Sequence, residues 1–102
     1  MARLDLEHLA RQTMNDANLQ REVLRIFEQQ MNDKMADLAC AQGSVKELAH
    51  SIKGSARGVG AVDVAALAEK LEQADCPDPT LIAQLGNAVE EAMEDIRAIL
   101  NL

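Results

Sequence analysis

His50 lies in the stretch Leu48-Ala-His-Ser-Ile-Lys-Gly-Ser-Ala-Arg-Gly-Val-Gly60, with Lys46, Lys53 and Arg57 around it. Written as a helix at about 100° per residue, this stretch gathers Val45, Leu48, Ile52, Ala56 and Val59 on one side. His50 falls on the opposite side, flanked by Lys46, Lys53, Gly54 and Arg57, so the imidazole is held toward water among cations. A free imidazole titrates near ~6.5. An exposed one is therefore largely neutral at cellular pH and keeps a ring lone pair as a nucleophile. The neighbouring cations disfavour its charged form further, and they would stabilise the ring once it carried negative phosphoryl oxygens. Lys53, three residues on, is the side chain best placed to do so. The chemistry these residue types suit is phosphoryl transfer.

Gly54 fits the same picture. A glycine inside a helix costs about 1 kcal/mol against alanine, and the rest of this segment uses alanine freely. The physical return is room, since a missing Cβ lets another molecule come close to His50.

Other chemistries fit less well. Glu47-x-x-His50 has the spacing of a di-iron ligand pair in a helical bundle, but a full site needs two such pairs, and His8 is the only other histidine. Ser51 adjoins His50, and adjacent helical residues diverge too far to share a proton. No glycine loop of the nucleotide-binding type is present, so no ATP site is visible. The glycine-rich turn before a helix has the outline of a helix-turn-helix, yet Asp63, Glu69 and Glu72 on the following helix argue against DNA. His8 is expected to be an exposed residue without a special role.

The elements that must position His50 are helices. Asp5 caps a short first helix with Leu6, Leu9, Ala10 and Met14 on its apolar side. Asn15-Asp16-Ala17-Asn18 breaks that pattern and offers caps for the next helix. Leu19, Val23, Ile26, Phe27, Met31, Met35 and Leu38 recur by threes and fours, predicting a long amphipathic helix over Leu19–Ala41 whose methionines are core filler. Gly43 ends it. Ser44-x-x-Glu47 is a capping box, which gives Glu47 a structural task and opens a helix over Ser44–Gly58. Gly58 and Gly60 permit a tight reversal. Asp63 is expected to cap Asp63–Ala74, with Val64, Leu67, Ala68, Leu71 and Ala74 inward, and Cys76-Pro77 stops that helix. Asp78 and Pro79 then start Pro79–Leu100 as cap and first helical residue. Its inner stripe is Ile82, Leu85, Val89, Ala92, Met93, Ile96 and Leu100, with Glu90, Glu91, Glu94 and Asp95 on a solvated outer face. The fold class predicted is all-α, an antiparallel four-helix bundle with a short N-terminal capping helix.

The 102 residues suffice for one domain spanning 1–102. No run is long enough to span a bilayer and no signal peptide is seen. Cys40 and Cys76 form no CxxC pair and are expected to be reduced thiols in a cytoplasmic protein. The formal net charge of −7 argues against nucleic acid and makes the cations near His50 a small positive spot on a negative body.

His50-x-x-Lys53-Gly54-Ser55, followed by Gly60 and Leu71-Glu72, resembles the signature of histidine-containing phosphotransfer domains. The resemblance runs from about Leu48 to Glu72, and the chain length suits a whole domain of that family. It implies a phosphorelay carrier rather than an enzyme with its own kinase or nucleotide site. The phosphoryl group would come from an aspartyl phosphate on a response-regulator receiver domain and pass to another receiver, with a histidine kinase or hybrid kinase in the same pathway. The receiver would supply Mg²⁺ and most of the catalytic groups, while this chain binds no cofactor or metal. His50 would be phosphorylated, Lys53 would stabilise the phosphoryl group, and Lys46, Gly54 and Arg57 would help dock the receiver. The second helix would complete that contact. Met1 and the lack of a linker favour a separate protein. The alternative is a non-catalytic helical interaction module in which an exposed His50 is incidental.

Overall fold

A computed structural model describes residues 5–39, 44–74 and 78–100 of the chain. Five helices follow one another: α1 (Leu6–Gln12), α2 (Ala17–Ala39), α3 (Val45–Val59), α4 (Val62–Gln73) and α5 (Pro79–Leu100). Helices α2 to α5 form the predicted antiparallel bundle. Each packs against its neighbour in sequence, α5 closes the ring onto α2, and α1 lies against α3. None of the described helices is long and apolar enough to cross a membrane.

The core runs down the centre of the ring through Leu24, Phe27, Met31, Ile52, Leu71, Leu85, Met93 and Ile96, all essentially without solvent contact. Burying side chains of this size contributes roughly 1.5–3 kcal/mol each. Between them sit buried alanines, Ala49 and Ala56 on α3 with Ala65 and Ala68 on α4. Their small side chains let α3 and α4 approach closely, and these two helices share the most extensive contact in the molecule. At the surface an Arg97 Nε–Glu28 carboxylate pair, 3.5 Å apart, links α5 to α2. Such an exposed pair adds at most about 1 kcal/mol.

The helix ends follow the expected chemistry with four exceptions. The Asp5 carboxylate accepts the His8 backbone N–H at 3.0 Å, Asp16 accepts from Leu19, Ser44 Oγ accepts from Glu47, and Asp78 accepts from Thr80 and Leu81. First, α2 begins at Ala17 rather than Leu19, because Asp16 is the residue that caps it. Second, α3 begins one residue after Ser44, its cap, and runs on through Gly58 to Val59. Gly60 alone takes the left-handed conformation there, with φ +78°. Its N–H and that of Ala61 bond back to Arg57 and Ala56, so Gly58 plays no part in the reversal. Third, α4 starts directly out of this turn with Ala61 in the cap position and no side-chain cap. Asp63 sits inside the first turn, where its charge suits the helix dipole. The helix ends at Gln73, with Ala74 half-buried beyond it. Fourth, α1 stops at Gln12, and Met14 and Asn15 have φ of +51° and +60°. Met14 thereby leaves the helical period and stands 86% exposed, whereas Leu9 packs into the core as predicted.

The inner stripe of α2 also differs from the expectation. It runs through Leu24, Phe27, Met31 and Leu38. Leu19 and Ile26, expected inside, are 41% and 52% exposed. At about 100° per residue, Ile26 is far round the helix from Leu24, and a spacing by threes and fours cannot separate two overlapping stripes. Ala41, Gly43, both cysteines, Pro77 and the Leu6 side chain lie outside what is described.

Candidate functional site

The α3–α4 hairpin builds the site. The Gly60–Ala61 turn is short enough that the two helices leave it side by side and antiparallel. Three side-chain contacts then step in opposite directions along them. Arg57 Nη2 lies 3.7 Å from Glu69, Lys53 Nζ lies 2.5 Å from Glu72 Oε1, and His50 Nδ1 lies 2.6 Å from Glu72 Oε2. The apolar positions of α3, Ala49, Ile52, Ala56 and Val59, are buried on its opposite side. Burial of that stripe fixes the rotation of α3 and leaves the His50 side chain 69% exposed.

Glu72 is shared between two partners. Its carboxyl is held below the ordinary carboxylate range, chiefly by the hydrogen bond from Lys53, against an opposing desolvation and with His50 assisting. It is therefore ionised at neutral pH and can only accept hydrogen bonds. The ring atom facing it, Nδ1, must carry the proton. In the neutral ring that leaves the lone pair on Nε2, which has no partner among the described residues. The result is an exposed imidazole of defined tautomer with its nucleophilic nitrogen toward solvent.

The predicted site residues are only partly brought together. Lys53 is beside His50, but it is largely covered (16% exposed) and already bound to Glu72. Lys46 is exposed and lines a shallow open groove with Glu47, His50, Glu72 and Gln73. Arg57 lies two turns further along α3, 59% exposed and loosely paired with Glu69. The positive spot expected around His50 is thus a mixed one. Carboxylates from α4 offset two of the three cations, and the group touching the ring is an anion. Gly54 is exposed, and a Cβ there would meet nothing within 4 Å. On the α2 side, Ser55 Oγ donates to Gln30 Oε1 at 3.1 Å. That bond ties α3 to α2 at Ser55. A separate apolar hollow at the α3–α4 turn is lined by Asp5, His8, Ala56, Arg57, Ala65 and Glu69, and does not include His50.

Glu72 is the site residue that motif analysis left without a role. A signal for it exists in the sequence: with the chain reversing at Gly60, Glu69 and Glu72 fall opposite Arg57 and Lys53. At Glu47 the structure has the half of the capping box that Ser44 supplies, the Glu47 backbone N–H bonded to Ser44 Oγ at 3.4 Å.

No curated protein and no solved structure gives a significant match to this chain. The family model of the Hpt domain matches residues 22–99, which covers α3 and α4 entirely, α2 from Glu22 onward and all of α5 but its last residue.

Proposed function

Because the chain belongs to the histidine-containing phosphotransfer (Hpt) family, phosphoryl carriers of phosphorelays rather than kinases, we propose that His50 is the residue that carries the phosphoryl group. It takes the group from an aspartyl phosphate on one receiver domain and passes it to another. The observation that supports this best is the exposed imidazole whose Nδ1 is engaged by Glu72, which leaves Nε2 free to attack. The transfer needs little else from this chain. A receiver supplies the aspartate and the Mg²⁺ that neutralises charge on the transferring group, consistent with the general dependence of such steps on positioning and electrostatics.

Lys53 is held by the same carboxylate as His50, and to stabilise the phosphorylated ring it would have to share itself between Glu72 and the incoming oxygens. Gly54 and Arg57, with Lys46 at the edge, form the docking face on α3, and the Gln30 region of α2 completes it. Receiver pockets are acidic, so exposed Lys46 and Arg57 give orientation as well as attraction. Residues 1–102 are proposed to form one domain of a cytoplasmic protein.

Incubation with a panel of phosphorylated receivers tests the assignment. Mass spectrometry under neutral or alkaline conditions, where a phosphoramidate survives, should place the label on His50. Undiminished labelling of a His50→Gln protein would refute the assignment. A parent protein that accepts no label from any receiver would leave the helical interaction module as the function.

A further inference from the structure

We propose that Lys46, rather than Lys53, is the cation that holds the phosphoryl group once it is on His50. This rests on His50 being the phosphoryl acceptor, and it gives Lys46 a part in the transfer itself beyond receiver docking.

Of the three cations on the His50 side of α3, two are engaged. Lys53 is largely covered, with its Nζ 2.5 Å from Glu72 Oε1. If Lys53 turned instead to a phosphoryl dianion, it would leave an ionised carboxylate without its counter-charge beside two further negative charges. Arg57 is paired with Glu69 two turns further along α3 and lines the hollow at the Gly60 end, outside the groove that contains His50. Lys46 is exposed and has no hydrogen bond or ion pair among the described residues. It stands one turn before His50 on the same face, where side chains four residues apart are neighbours. Helical side chains lean back over the turn that precedes them, so the imidazole covers the turn that carries Lys46. Both line one open groove with Glu47, Glu72 and Gln73, and Lys46 is the cation among them.

Nothing within the fold favours a lysine at this position. Lys46 is in the first turn of α3, which begins at Val45, and the positive end of the helix dipole disfavours a cation there. An anion arriving on the neighbouring ring would supply the return. In the transfer the Nε2 lone pair forms the N–P bond, while the P–O bond of the aspartyl phosphate breaks and its electrons leave on the carboxylate. Lys46 forms no covalent bond and gives up no proton. Its ammonium donates to the non-bridging oxygens, first as they approach and then on the phosphorylated ring, where it offsets repulsion from the Glu47 and Glu72 carboxylates in the same groove. The return step uses the same contact.

The experiment labels the full chain with phosphoramidate, a small donor that needs no receiver and releases ammonia, in a His8→Gln background so that a single ring is observed. Phosphorus NMR reads the rate of N–P bond formation at His50. Lys46→Gln should label about tenfold more slowly than the parent, the loss of one charge-assisted hydrogen bond. Its melting temperature should be unchanged or raised, because a cation has left the first turn. Lys46→Arg, which keeps the charge, should recover most of the rate. Lys70→Gln, the same loss of charge on α4 outside the groove, should label close to the parental rate. Replacing the pair together, Lys53→Gln with Glu72→Gln, keeps the net charge and an acceptor for Nδ1–H, and should slow labelling less than Lys46→Gln does. A greater loss in the paired variant would return the role to Lys53 and overturn the proposal. Labelling of Lys46→Gln no slower than that of Lys70→Gln would also overturn it, and weaker receiver binding by that variant would then make Lys46 a docking residue alone. The phosphoryl-carrier assignment fails separately, if no receiver transfers to His50, and the phosphoramidate rates can be read in that case too.

Discussion

Two glycines of the α3 region, Gly54 and Gly60, answer to different demands. Gly60 closes the helix with φ +78°, and a Cβ there would lie 2.7 Å from the Asp5 carbonyl oxygen. The same close approach carries a hydrogen bond from Asp5 N–H to the Gly60 carbonyl, 2.7 Å long, which pins the start of α1 to the hairpin turn. The fold needs this glycine. Gly54, less than two turns earlier, has ordinary helical geometry and open space where its side chain would be. Here the fold would be better served by alanine, since glycine in a helix interior costs about 0.5–1 kcal/mol. One glycine is explained inside the molecule, and for the other the proposed docking face would supply the reason. A residue that lowers stability next to an exposed nucleophile is a stronger pointer to a binding face than one the backbone requires.

This contrast can be broken from either side. The largest effect is expected at Gly60. Gly60→Ala must adopt the left-handed conformation and displace the Asp5 backbone, at a total cost of about 2–3 kcal/mol in denaturant unfolding. Labelling of His50 by a receiver should persist in the fraction that remains folded. Near-parental stability would mean that the α1 junction yields freely. Gly54→Glu should do the reverse. Melting should be unchanged or raised, because glutamate is the better helix former. Receiver affinity should fall at least about tenfold, equivalent to about 1.4 kcal/mol, through bulk and through repulsion from an acidic pocket. Parental binding and transfer by this variant would remove the reason offered for the glycine. The smallest change is Gly54→Ala, expected to raise stability by about 0.5–1 kcal/mol. A drop in its unfolding midpoint would contradict the open surroundings of that position.

Much of this architecture could be read from the chain. Apolar stripes with one dominant direction, as in α3 and α5, predicted buried faces well, and short polar side chains at Asp5, Ser44 and Asp78 marked helix starts that the structure shares. The errors fell where local rules compete. In α2 two overlapping apolar stripes hid Leu24 and promoted Leu19 and Ile26, because spacing records which residues share a face but not which face meets the core. At α4 a capping residue was expected in Asp63, yet the reversal at Gly60 left no room for a capped entry and started the helix at Val62.

The sequence by itself determined that His50 would be exposed. The apolar positions of α3 lie on one side, and burying them turns the histidine outward whatever the neighbouring helices are. It also marked Lys53 as the nearest cation and Gly54 as a glycine without a local reason. Only the tertiary structure decided the electrostatic character of the site. Helix α4, folded back across the Gly60 turn, places Glu72 against both His50 and Lys53, and Glu69 beside Arg57. What reads along the chain as a patch of cations around a histidine becomes a carboxylate in contact with its ring. Polar groups 19 and 22 residues apart in sequence interact only once packing has set their separation, and Coulomb energy depends on that distance and on the solvent excluded around it.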